Sequence, residues 1–178
     1  MPTTKQFQIQ HFNNTLNLYA SEEKQYTSSW FMDFGKFGSE LINSERKKIY
    51  SINKKFKFCK WKMVYTIRDR SEDVLELISL NNRKTIYSIE VDQVIYVVKV
   101  HYKKKISVFK NGNKIAEFDA SILNENQYHT THLYLLDVND LEMCFLLFSC
   151  LKIGETEQNS KIVLSSQKQL EINEEPWV

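Results

Sequence analysis

Apolar and polar residues alternate with period two along most of this 178-residue chain, which is the pattern of strands with one buried face. The clearest run is Val94 to Tyr102, where Val94, Tyr96, Val98, Val100 and Tyr102 share one side and Lys99 and His101 take the other. Thr85, Tyr87, Ile89 and Val91 share a side in the preceding segment, and Asp92-Gln93 links the two as a tight hairpin. Ile106 to Lys110 and Lys114 to Phe118 flank Asn111-Gly112-Asn113; Asn-Gly accepts the positive φ angles of a type I′ turn. In 54–67 the phase flips: Phe56 and Phe58 share one parity, whereas Trp61, Met63, Tyr65 and Ile67 form the apolar set afterwards. A one-residue slip sends later side chains to the opposite face, so a bulge or tight bend is expected near Cys59-Lys60. Asp69 to Asp73 reads as a turn into Val74 to Leu80. Phe7 to Phe12, Leu16 to Tyr19, Thr27 to Met32 and Lys48 to Ile52 read as further strands, Glu40 to Asn43 as a weaker one, and Tyr128 to Val138 as a long one.

One segment breaks the pattern. Leu141 to Ile153 is apolar on every side of a helical wheel, so a helix there must be enclosed on all sides. Asn139 with Glu142 three residues on predicts a capping box; Lys152 and Gly154 mark the C-terminal end. The segment is too short to cross a bilayer, which takes roughly 20 apolar residues. Ten to twelve strands followed by this helix predict a mainly β fold: an antiparallel barrel of about twelve strands around a buried helix at 141–153. A different barrel, or a sandwich, with one packed helix would show the same alternation. A single domain is expected over 1–164, with its helix at 140–153 and a short strand near Lys161 to Leu164. An acidic, mobile tail is expected over 165–178.

Net charge is only +2, but its distribution is uneven. Residues 46–114 hold eighteen Lys/Arg and six Asp/Glu, whereas residues 115–178 hold three Lys and eleven Asp/Glu. Lys54, Lys55, Lys57, Lys60 and Lys62 form one basic group and Lys103, Lys104 and Lys105 another. If they converge in space they suit anionic headgroups. Lysines interleaved with Phe56, Phe58 and Trp61 also fit a nucleic-acid platform, but those aromatics read better as core positions. The pattern is also compatible with a protein-interaction scaffold. A small-ligand-binding barrel is disfavoured, because the helix would occupy its cavity.

No catalytic constellation is visible. Gly35-Lys36-Phe37-Gly38 is too sparse to cradle a phosphate chain. His129 and His132 lie three apart on a strand and so point to opposite faces, which argues against a metal site. No cofactor is implied. Cys59, Cys144 and Cys150 are odd in number and scattered, and no leader is apparent, so a reduced cytoplasmic setting, with peripheral membrane contact, is expected.

Three stretches resemble the Tubby C-terminal-like superfamily, which includes the phospholipid scramblases and the LURP-one-related proteins. They are Trp61 to Asp69, the paired hairpins at 84–102 and 105–119, and Leu133 to Phe148. The resemblance implies a twelve-stranded barrel wound around a hydrophobic helix, and binding of phosphoinositides or association with membranes. The usual glycine of the turn near 69–73 is absent, and the chain runs about 24 residues past the helix.

Overall fold

The computed structural model describes residues 3–102, 104–121, 129–155 and 171–177. Twelve antiparallel strands form a closed barrel in which each strand pairs with its sequence neighbours and β1 pairs with β12. They are β1 (Lys5–Phe12), β2 (Thr15–Ala20), β3 (Glu23–Asp33), β4 (Lys36–Asn43), β5 (Lys48–Lys57), β6 (Lys62–Arg68), β7 (Val74–Ser79), β8 (Ile86–Val91), β9 (Val94–Val100), β10 (Lys105–Lys110), β11 (Asn113–Asp119) and β12 (His129–Leu135). The helix α1 (Leu141–Lys152) follows. This is the mainly β architecture that the alternation and the enclosed helix predict. The expected strand near Lys161 to Leu164 lies outside the described residues.

Inward positions alternate along the strands. Ile9, Leu18, Leu41, Ile52, Ile67, Leu77, Ile89, Val98, Phe118 and Leu133 are almost fully buried. They meet Cys144, Phe145, Leu146, Leu147, Phe148 and Cys150 of α1 in one core. Phe118 stacks on Phe148 with ring centroids 4.6 Å apart, and Tyr26 lies 6.1 Å from Phe145. Burial pushes the thiols of Cys144 and Cys150 well above the ordinary range, so they behave as small apolar groups.

The turns carry the backbone conformations the chain needs. Asp92-Gln93 and Asn111-Gly112 all have positive φ, as type I′ hairpins require. Around Cys59 the phase flip is a hairpin: Phe58–Lys60 form one 3₁₀ turn and Trp61 closes it at φ 53°. In the 69–73 turn Glu72, at φ 64°, takes the left-handed position, while Asp69 Oδ1 accepts from the amides of Ser71 and Asp73.

The capping box does not form. Asp137 accepts the amide of Asn139 and caps a short 3₁₀ turn that leads into α1. Glu142 is drawn instead to the barrel wall, accepting from the hydroxyls of Tyr50 at 2.9 Å and Tyr26 at 3.3 Å. Asp140 accepts from Lys110 at 2.7 Å, with the Tyr96 hydroxyl at 3.5 Å. At the other end of the helix Lys54 Nζ donates to the carbonyl of Ile153 at 2.6 Å.

Phe145→Ala should lower stability by about 3–5 kcal/mol, since the enclosed site cannot collapse around the space left. Urea unfolding followed by circular dichroism measures this; an unchanged midpoint would show that α1 is not the core. Lys54→Met keeps the stem and removes the ammonium from the negative end of the helix. It should cost about 1–2 kcal/mol in the same assay, and a loss no larger than that of Lys55→Met would remove its capping role.

Candidate functional site

Because neighbouring strands alternate in direction, the hairpins fall at two ends of the barrel. The turns after β1, β3, β5, β7 and β9 lie at one end, and those after β2, β4, β6, β8 and β10 lie at the other. The helix enters from the second end after β12, and its C-terminus faces the first.

The ends differ in chemistry. At the first end the described turns contribute Lys60, Arg83, Lys84 and Lys104 and no carboxylate of their own; Glu155 follows the C-terminus of α1, and Glu171 is hydrogen-bonded to the β7–β8 turn. At the second, the turns and the β12–α1 connection carry Glu22, Glu45, Asp69, Glu72, Asp73, Asp92, Asp137 and Asp140 against Arg46, Lys47 and Arg70. The apolar surface is polarised too. Phe12, Phe31, Met32, Phe34, Phe58, Trp61, Leu80 and Tyr102 are all exposed and all lie at the first end. Every aromatic in the exposed set is among them; Val74, Ile95, Leu136 and Val138, at the second end, are aliphatic.

The first end is built by the tips of its hairpins. Phe56 lies at the end of β5, with Phe58 and Trp61 edge-on to it at 4.7 Å and 5.4 Å. Lys84, from the β7–β8 turn, places Nζ 4.3 Å over the Phe56 ring, a cation–π contact that joins two tips. Phe34 heads the β3–β4 turn and is 98% exposed. Phe34 and Trp61 both have positive φ, at 45° and 53°. A left-handed conformation costs a bulky L-residue roughly 1–2 kcal/mol, and Asn or Gly would hold either turn without it. Neither side chain is there for the core.

Placement of the predicted lysines is mixed. Lys55, Lys60, Lys62 and Lys104 reach solvent at or near the first end, and among the described residues none is within ion-pair distance of a carboxylate. Lys57 is 3.6 Å from Glu76. Lys54 departs from the expected group: it pairs with the buried Tyr65 across β5–β6, so its parity is inward, toward the helix end. Lys105 is mostly buried on the outer wall, 3.7 Å from Glu117 and 3.4 Å from Asp119. Lys103 lies outside the described residues. Phe58 and Trp61 are exposed tip residues where the sequence pattern read core positions, because the hairpin ends the alternation before they can turn inward. Phe12, Phe31, Met32, Phe34, Lys36, Arg83 and Lys84 were not among the site residues that the sequence pattern predicts. Only Asp33-Phe34-Gly35, a phenylalanine between two turn-forming residues, carried a local signal.

The outer wall of β9–β11 holds a second polar group. His101 is buried, with Nε2 at 2.9 Å from Ser107 Oγ and Nδ1 at 3.1 Å from the carbonyl of Glu171. Lys114 donates to Glu117, and Glu117 Oε2 also accepts from the Trp177 amide and from Asn173. Glu171–Trp177, within the tail expected to be mobile, are thus hydrogen-bonded to the barrel wall. Burial alone would raise the Glu117 carboxyl, but these hydrogen bonds outweigh it and hold it below the usual range. Asp119 is likewise held low against burial, by Ser121 and Lys105. His132 Nδ1 lies 3.0 Å from Gln6 Nε2, and among the described residues no group of His, Cys, Asp and Glu is placed to hold a metal.

The chain is a closed antiparallel barrel filled by one helix, polarised between a basic, aromatic end and an acidic one. Comparison with protein-family models, curated proteins and solved structures found no match. Among the described residues no helix is long and apolar enough to cross a membrane.

Because Glu117 and Asp119 have depressed folded-state pKa values, their stabilisation is present above the ordinary carboxylate range and is lost as pH falls through the folded values. Thermal melts should lose midpoint below about pH 4. Glu117→Gln should lower the midpoint at pH 7 and flatten this acid limb; an unaltered limb would show that the carboxylate does not drive it.

Proposed function

We propose that this protein binds anionic phospholipid surfaces peripherally and without catalysis, through the end of the barrel that carries Phe34, Phe58–Trp61, Lys84, Tyr102 and Lys104. The observation that supports this most directly is that Phe34 and Trp61 are exposed, bulky and held at positive φ on neighbouring tips of that one end. Phe34 is left almost wholly in solvent, and Trp61 covers only part of its ring against Phe56. An interface would cover both, because aromatic rings settle at the boundary between headgroups and acyl chains. The lysines beside them supply the electrostatic part. Each basic residue near an anionic membrane is worth about 1 kcal/mol, so Lys55, Lys60, Lys62, Lys84 and Lys104 together support reversible attachment. The acidic opposite end would be repelled, which orients the barrel with its axis across the interface. The resemblance to the Tubby-like superfamily points the same way. A location at the inner face of a cell membrane follows as part of the same reading.

Co-sedimentation with phosphatidylcholine vesicles, with and without phosphatidylserine, tests this. Binding should require the anionic lipid at low salt and weaken as salt rises. Phe34→Ser with Trp61→Ser should reduce partitioning about tenfold or more, Lys60→Glu with Lys62→Glu likewise, and Val74→Ser with Ile95→Ser should have no effect. Equal sedimentation with neutral and anionic vesicles would end the proposal. So would a salt-sensitive shift with single-stranded nucleic acid in the absence of any vesicle binding, since the same tips would then be serving as stacking platforms.

A further inference from the structure

Glu171–Trp177 lie on the outside of a barrel that has no free edge, because every strand is already paired on both sides. The segment therefore adds no strand to the sheet. Its one bridge, parallel, joins Glu171 to His101, and the amide of Glu171 donates to the carbonyl of Val100 at 3.1 Å. Side chains hold the rest. The Glu171 carboxylate accepts from Thr85 Oγ1 at 2.8 Å, with Asn81 Nδ2 at 3.4 Å. Asn173 is held from both ends of its amide: Lys114 donates to Oδ1, and Nδ2 donates to Glu117, each at 3.3 Å. The Trp177 ring lies under Lys114 Nζ at 4.9 Å, and its amide donates to Glu117 at 3.2 Å. Between these anchors Ile172, Glu174, Glu175 and Pro176 point to solvent, and Ile172 is 76% exposed. A segment that belonged to the core would bury its isoleucine. This one is gripped at four positions, since the Glu175 carbonyl also accepts from Lys114 at 2.5 Å, as a bound peptide is.

We propose that the outer wall of β9–β11, with Asn81 and Thr85 beside it, is a peptide-recognition groove. It reads the pattern Glu-x-Asn-x-x-x-Trp, and the chain's own C-terminal segment is its tethered, displaceable occupant. The partner it fits is an extended segment of another protein with that pattern. Residues 153–170 separate the segment from the helix, and eighteen residues of chain reach at most about 60 Å. Because the segment is covalently joined to the barrel, its seating is an intramolecular step. A weak cis ligand then stays seated, while a tighter trans ligand can replace it. Nothing in the core is opened by the exchange, because Lys114 and Glu117 remain paired with each other on the outer wall when the segment leaves.

The test uses the full chain with Glu171→Gln, Asn173→Ala and Trp177→Ala together, which removes the segment's side-chain anchors without touching the groove walls, and a fluorescently labelled peptide of residues 171–178. Fluorescence anisotropy should show saturable binding to this variant and at least tenfold weaker binding to the unaltered chain, where the tail competes. Peptides carrying Asn173→Ala or Trp177→Ala should bind at least fivefold more weakly, and one carrying Ile172→Ala should bind unchanged. No binding to the variant, equal binding to both chains, or equal binding of a scrambled peptide would overturn the proposal. Should the variant not fold, hydrogen exchange on the unaltered chain decides. The amides of Glu171 and Trp177 should exchange at least a hundredfold faster than those of β10 and β11. Exchange at the rate of those strands would make the segment a fixed part of the barrel.

Discussion

A helix buried inside a barrel brings its unsatisfied ends with it, and the rest of this structure depends on how those ends are met. The wall pairs the helix's own carboxylates at one end and its backbone at the other. At the entry, Tyr26 and Tyr50 donate to Glu142, and Lys110 donates to Asp140. At the exit, Lys54 donates to the carbonyl of Ile153. Burial pushes the hydroxyl of Tyr50 well above its ordinary value, and Glu142 adds to the shift, so it stays a donor across the whole working range of pH. Without these groups the twelve strands would enclose unpaired polar atoms, at a cost that a few apolar contacts could not offset.

That requirement also explains which parts of the molecule were legible in the sequence. Alternation depends only on which face of a strand is buried, so the strands from Val94 to Phe118 and the helix from Leu141 could be read directly. Both Asp92-Gln93 and Asn111-Gly112 gave their turns by residue type. Glu142 misled because its local partner, the capping box, lost to two tyrosines more than ninety residues away in the chain. Lys54 misled for the same reason: a lysine beside Lys55 reads as surface until the register with Tyr65 turns it inward. His101 alternates outward as expected, yet it is buried beside Glu171, a contact that no local pattern announces.

The basic, aromatic end was half visible. The lysines at 54–62 stood out as a run without acids, but their convergence with Phe34, Leu80 and Lys84 is a property of the topology. Strands that alternate in direction send every second hairpin to the same end, so tips spaced about 25 residues apart become neighbours. The exposed Phe34 and Trp61 are scattered in sequence and adjacent in kind only after the barrel closes. The outer wall of β11 gave even less warning. Lys114 and Glu117 sit among apolar positions, and only the covering segment makes sense of their burial.

The order of the elements along the chain has a kinetic consequence. The pairing that closes the barrel joins Lys5 to Leu135, and the helix that fills it comes later still. During synthesis the first eleven strands therefore emerge with an apolar inner face and nothing to pack against it. Contacts of such long sequence separation form slowly, and the open sheet keeps two unpaired edges until the last of them is made. The chain must hold its partly paired state until its final third leaves the ribosome. Polar outward positions on the two strands that stay open, Gln6, Gln8 and Gln10 of β1 and Glu117 and Asp119 of β11, oppose pairing with other chains in that interval.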